Sequence, residues 1–118
     1  MLEHFVEKFR ETPWGNEILL LDRGDVAVKI ITVNPGHRLS LQIHRDRDEY
    51  WTVLSTGGLL QKGEEIIPAS HGTRMVIPRE TKHRLSASVD AELQVLEICV
   101  GRVDQNDIVR YEYDYGRV

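Results

Sequence analysis

Apolar residues along this chain fall in short runs separated by turn signals. Residues 26–33 (VAVKIITV) are rich in β-branched side chains and read as a core strand. Residues 93–100 (LQVLEICV) read as a second strong strand. Shorter strands are predicted at 17–21, 39–44, 50–54, 59–61, 65–67 and 73–77. Another opens at His83 (HRLSA), and a last one lies within the tail DIVRYEYDYGRV. Between them stand DRGD at 22–25, Pro35-Gly36, Thr56-Gly57-Gly58 and Lys62-Gly63-Glu64, all turn chemistry. At the N-terminus, Leu2, Phe5, Val6 and Phe9 allow a short amphipathic helix, and the same residues allow a strand. Trp14, in the turn Thr12–Gly15, is expected to plug or cap the fold.

Short strands spaced roughly every ten residues predict an all-β sandwich or barrel. Strands and helices do not alternate, which disfavours Rossmann and TIM architectures. The length of 118 residues predicts one domain, 1–118, with residues 1–12 as an N-terminal extension and 102–118 as a tail packed on the barrel. Lys29 interrupts the 26–33 run. A charge in a core strand either points outward or faces a polar cavity.

Composition narrows the function. Hydrophobic residues make up 41% and charged residues 29%, enough apolar material for a packed core. The net charge of −4 argues against nucleic-acid binding through a broad basic surface. Cys99 is the single cysteine, so no internal disulfide forms, and its apolar context predicts a buried, inert thiol. No apolar run is long enough for a membrane span, and the first residues do not read as a signal peptide. The expected location is the cytoplasm.

The chemistry gathers in GHRLSLQIHRDRDEYW, residues 36–51. Gln42 and His44 are two apart and share a face if extended. Glu49 follows beyond the charged bend 45–48, and His83 opens a later strand after Pro78. Inside a small barrel these four converge on one metal ion. Nitrogen and oxygen donors of this kind suit Zn²⁺, Mn²⁺, Fe²⁺, Co²⁺ or Ni²⁺ without choosing among them. The competing reading is that residues 45–48 are a solvated turn and the histidines play no ligating part.

A longer pattern then emerges: PWG at 13–15, VKIITVNPG at 28–36, LSLQIH at 39–44, IP at 77–78, HRL at 83–85 and DIVR at 107–110. In this order the motifs resemble the cupin domain of type II phosphomannose isomerases. Such domains are often fused behind a mannose-1-phosphate guanylyltransferase, and this chain is read as a stand-alone form without it. The resemblance implies a double-stranded β-helix, a jelly-roll relative. It implies Gln42, His44, Glu49 and His83 as metal ligands. It implies isomerisation of mannose 6-phosphate to fructose 6-phosphate through a cis-enediolate, the metal acting as Lewis acid. Glu49 is the candidate base, with a metal-activated hydroxide as the other, and Arg110 contacts the substrate or the enediolate. Lys29, Arg47 and Arg84 are the phosphate candidates, with Tyr50 beside the substrate. Arg47 has a simpler reading, orienting Glu49, and Arg84 one as a solvent-facing residue.

The sequence departs from the family at four points. Tyr50 stands where histidine is usual, Glu80 where glycine is usual, and Thr12 where arginine is common; the stretch 102–107 is shorter and less acidic. Tyr50, Glu80 and the altered 102–107 stretch favour a second function, a non-catalytic cupin that binds a sugar phosphate or a nucleotide sugar. A third, an oxygenase or epimerase chemistry, is compatible with the same ligands. A homodimer formed through edge strands or sheet faces is expected.

Overall fold

The computed structural model describes residues 4–116, which form eleven strands and no α-helix. The strands are β1 (Phe5–Thr12), β2 (Gly15–Asp22), β3 (Val26–Val33), β4 (Leu41–Ile43), β5 (Arg47–Val53) and β6 (Leu59–Lys62). They continue as β7 (Glu65–Pro68), β8 (Arg74–Ile77), β9 (His83–Ser86), β10 (Leu93–Gly101) and β11 (Val109–Glu112). One sheet has the order β1-β2-β3-β10-β5-β8, the other β11-β4-β9-β6-β7, and every pairing is antiparallel. This is the all-β, double-stranded β-helix architecture expected from the sequence. Met1 and Leu2, part of the apolar N-terminal pattern, lie outside the described residues; the rest of that pattern forms β1.

The longest ladders come from the two densest apolar runs. β3 and β10 pair from Leu93↔Val33 to Val100↔Val26, and β10 pairs on its other side with β5 from Val95↔Val53 to Gly101↔Arg47. This second ladder carries β5 down to Arg47, two residues into the predicted bend. Glu49 therefore sits within a strand.

The inward face of these strands changes character along its length. At one end Val33, Leu93, Ile31, Val95 and Val53 are buried, and they pack with Trp14, Leu60 and Leu85 in the core. Each such side chain contributes roughly 1.5–3 kcal/mol through burial. At the other end the inward positions are Lys29, Glu97, Cys99, Glu49 and Arg47. Period-2 alternation keeps both sets on the same side of the sheet. Trp14 is buried in the apolar end, as a plug would be.

The turn before β9 contains Glu80 with φ 64°. This left-handed conformation is open to glycine and strained for other residues. A glycine at this position would adopt the same turn without that strain, and the Glu80 N–H donates to the His44 carbonyl at 2.6 Å. Glu80→Gly is expected to raise unfolding stability by about 1 kcal/mol. Chemical denaturation measures this, and an unchanged or lower midpoint would show that the turn carries no strain.

Candidate metal centre

Both sheets contribute to one polar cluster at the open end of the barrel. β4 carries Gln42, and His44 lies just beyond it. β9 opens with His83, directly opposite Gln42 in the ladder. β5 supplies Glu49 from the facing sheet. His44 Nε2 lies 3.2 Å from Glu49 Oε2, and His83 Nε2 lies 3.3 Å from Glu49 Oε1. Ligand atoms of these three residues all fall within 4.8 Å of one another, and all three residues are buried.

The histidine tautomers are set by the backbone. His44 Nδ1–H donates to the Asp107 carbonyl at 2.6 Å, and His83 Nδ1–H donates to the Thr81 carbonyl at 2.8 Å. Each ring therefore turns an unprotonated Nε2 toward Glu49, the arrangement by which outer hydrogen bonds prepare imidazoles for a metal. Gln42 adjoins them, its Nε2 at 3.1 Å from His44 Nε2 and its Oε1 accepting from the Ser40 hydroxyl. A half-turn of that amide directs its oxygen to the cluster.

Within the cluster two buried atoms make no hydrogen bond, Glu49 Oε1 and His83 Nε2. Unpaired polar atoms in a dry site are costly. A divalent cation between a carboxylate oxygen and an imidazole nitrogen would satisfy both. The residues present thus fit a metal, and the donor set does not select one.

Arg47 holds the carboxylate from the side. Its Nε and Nη2 donate to Glu49 Oε2 at 3.1 and 3.0 Å, and Nη2 also reaches His44 Nε2 at 3.2 Å. Burial works to raise the Glu49 carboxyl, but the adjoining His44 and His83 imidazoles hold it well below the ordinary carboxylate range. Burial likewise lowers the His83 imidazole, and its contact with Glu49 more than reverses that.

A second buried carboxyl stands one ladder position away. Glu97 pairs with Trp51 across the β10–β5 ladder and accepts from Trp51 Nε1 at 3.1 Å. Burial, together with the negative Glu49, pushes Glu97 up to about 7. Lys29 is its ladder neighbour on β3. Burial lowers the Lys29 ammonium, and the charges of Glu97 and Glu17 outweigh this and raise it. Cys99 lies beside both carboxylates, and burial pushes its thiol far up, consistent with an inert sulfur.

The predicted site residues separate into two groups. A cleft of about 790 Å³ is lined by Lys29, Gln42, His44, Arg47, Glu49 and Arg110, with Glu97 among its walls. Arg110 pairs with Gln42 in the β11–β4 ladder, lies over the Tyr113 ring at 5.1 Å, and leaves its buried Nε without a partner. His83 closes the cluster from behind. Arg84 and Tyr50 are not brought to the cluster. The Arg84 guanidinium donates to the Leu39 carbonyl and to Glu112, tying β11 to β9. It is buried rather than solvent-facing. Tyr50 alternates with Glu49 and faces out of the barrel, 43% exposed.

Glu97 and Asp107 are the site residues that sequence reasoning missed. Glu97 is a polar interruption in an apolar strand, the same signal that singled out Lys29, its ladder partner on β3. Asp107 acts through its backbone on His44, while its carboxylate accepts the N–H groups of Arg45 and Asp46, each at 2.9 Å. Gly101 lets the strand ends close over this bend, because a Cβ there would meet the Asp46 carbonyl.

Among the described residues no helix is long and apolar enough to cross a membrane. The family described as "Mannose-6-phosphate isomerase C-terminal" matches residues 2–113. The xanthan biosynthesis protein XanB of Xanthomonas campestris is 38% identical over 107 residues, covering 89% of this chain and 23% of that protein. A mannose-1-phosphate guanylyltransferase of Salmonella muenchen is 36% identical over 112 residues, covering 94% of this chain and 23% of that protein. The chain thus spans less than a quarter of the length of these relatives. Among solved structures, Streptomyces PAC13 superposes with a TM-score of 0.77 at 12% identity, over 96% of this chain and 89% of PAC13. KdgF from Halomonas superposes at 0.76 with 17% identity, over 86% of this chain and 96% of KdgF. At these identities the likeness is one of fold.

Proposed function

The chain belongs to the mannose-6-phosphate isomerase C-terminal family, and from that premise we propose that it is a metal-dependent aldose–ketose isomerase of a sugar phosphate, interconverting mannose 6-phosphate and fructose 6-phosphate. The observation that carries this reading is the buried His44–Glu49–His83 cluster, with two unpaired ligand atoms, on a cleft large enough for a hexose phosphate. A divalent ion held by His44, Glu49, His83 and Gln42 would supply Lewis acidity toward the substrate's carbonyl and neighbouring hydroxyl.

The protein's own groups then divide the work. Arg47 holds the Glu49 carboxylate aimed at the cluster. Glu49 is enclosed by two imidazoles and a guanidinium, which suits a ligand. Glu97 faces the cleft and lies outside the proposed ligand set, and we assign it the proton that moves between C2 and C1 of the sugar. Arg110, with a free Nε over the cleft wall, would pair with the oxygen that gains negative charge. Lys29 offers an ammonium to the phosphate, because its charge is sustained by Glu97 and Glu17. Arg84 and Tyr50 take no part in this scheme, since their side chains are committed elsewhere.

Two of the departures that favoured a non-catalytic protein weigh less in this reading, because Tyr50 faces outward and Glu80 adopts a conformation open to glycine. The test is direct. Purified protein loaded with Mn²⁺, Zn²⁺ or Co²⁺ is expected to form fructose 6-phosphate from mannose 6-phosphate in a coupled assay. No turnover with any metal, in protein that binds one ion per chain, would overturn the isomerase and leave a sugar-phosphate-binding cupin.

A further inference from the structure

The first strand forms part of the cleft. β1 lies at the edge of the six-stranded sheet, where its ladder sets Arg10 against Glu17 and Lys8 against Leu19. The β2–β3 ladder carries these rows on, Glu17 to Ile31 and Leu19 to Lys29, and β10 continues the second to Glu97. Side chains directly opposite one another in a ladder share a face of the sheet. Ile31 and Glu97 are buried on the inner face, so Lys8 and Arg10 point inward with them. Both line the cleft that holds Lys29, Gln42 and Glu49. The first strand is thus the outer wall of that cleft.

Glu17 joins this wall to Lys29. Its Oε1 lies 3.0 Å from Arg10 Nη2 and 3.9 Å from Lys29 Nζ. Two cations from different strands therefore stand side by side on one carboxylate oxygen. The Glu17 and Lys29 side chains are 15% and 17% exposed, while Arg10 is 60% exposed at the mouth. A phosphate monoester carries about two negative charges near neutral pH. Lys29 already answers the charges of Glu97 and Glu17, so it does not balance a dianion alone. Arg10 is the further cation placed beside it. Its planar fork has five N–H donors, enough to keep Glu17 and still meet phosphate oxygens. The span fits as well. From β5, which bears Glu49, to β3, which bears Lys29, is two strand spacings, about 10 Å. That is the order of length of an open-chain hexose phosphate. A sugar with its carbonyl end at the His44–Glu49–His83 cluster brings its phosphate to Lys29 and Arg10.

Building on the isomerase reading, we propose that Arg10 is the second phosphate-binding residue of the site, that Arg10 and Lys29 clamp the phosphoryl group of the substrate, and that Glu17 positions both. The clamp selects a sugar whose phosphate lies at the end of the chain remote from its carbonyl. A sugar phosphorylated at C1 has its carbonyl locked and does not present both ends at once. The clamp is built from β1, β2 and β3, whereas the metal ligands come from β4, β5 and β9 and the residue after β4. Phosphate recognition and chemistry are therefore separable by substitution. A merely structural Arg10 would pin β1 to β2, and an exposed ion pair adds little stability.

Steady-state kinetics of the metal-loaded chain with mannose 6-phosphate test the clamp. Arg10→Ala is expected to raise KM by about tenfold or more, the loss of a charge-assisted contact. Its kcat should stay within about twofold, because the reacting end of the sugar is untouched. Arg10→Lys keeps the charge and should recover most of the loss. Added salt should raise the KM of the unaltered chain more than that of Arg10→Ala. A lower denaturation midpoint in Arg10→Ala with an unchanged KM would show strand pinning and overturn the proposal. A fall in kcat at unchanged KM would overturn it too. Calorimetric titration with mannose 6-phosphate separates the clamp from the isomerase. If no metal gives turnover, yet the chain binds the sugar phosphate and Arg10→Ala binds it about tenfold more weakly, the clamp stands and the isomerase falls. Turnover with an unchanged KM in Arg10→Ala keeps the isomerase and sinks the clamp. A chain that neither binds nor converts mannose 6-phosphate sinks both.

Discussion

Replacing His44 or His83 with alanine is expected to abolish stoichiometric binding of a divalent metal while leaving the fold intact. Each imidazole contributes one Nε2 to the cluster, and the tautomer of each is fixed by a backbone carbonyl, Asp107 for His44 and Thr81 for His83. Loss of an outer hydrogen bond to a ligand typically costs 10–100-fold in affinity, so loss of the ligand itself should cost at least about 100-fold. Glu49→Gln removes the only carboxylate among the proposed ligands and should act as strongly. The barrel is expected to survive, because its apolar core lies at the other end of the strands. Elemental analysis after dialysis gives metal per chain, and circular dichroism reports the fold. A full ion per chain in both histidine variants would mean that the metal, if any, sits elsewhere.

The second large effect concerns Glu97. Glu97→Gln keeps the shape of the side chain and an oxygen to accept the Trp51 N–H. It removes the proton acceptor. Turnover is expected to fall by about 10²–10⁴-fold, the usual contribution of a positioned base, with metal content unchanged. Glu49→Gln should lose metal and turnover together. The contrast separates a carboxylate that holds the ion from one that moves the proton. Unchanged turnover in metal-loaded Glu97→Gln would return the proton transfer to Glu49 or to a metal-activated hydroxide.

Much of the site was legible in the chain. Gln42 and His44 share a face because they are two apart on an extended backbone, and His83 opens a strand after a proline-marked turn. Those facts are local, so sequence carries them. Arg84 illustrates where local reasoning stops. As the neighbour of His83 it was expected to contact phosphate or reach solvent. Alternation does turn it away from the cluster, but β11 folds over it, and Glu112 and the Leu39 carbonyl take its donors. Tyr50 is the same case on the facing sheet. Its neighbour Glu49 lies within the β5–β10 ladder, so the two side chains point to opposite sides.

By itself the sequence determined the all-β class, the turns, the family pattern and three of the proposed ligands as one motif with a fourth downstream. Period-2 patterning and turn chemistry are properties of neighbouring residues, and they survive in one dimension. The tertiary structure decided which polar side chains meet. It brought Glu97 and Lys29 to the polar end of the cleft, gave Arg47 to Glu49 and Arg84 to the tail, and set Arg10 of the first strand beside Lys29. Each of those outcomes depends on register between strands distant in the chain. A shift of one residue would invert every one of them.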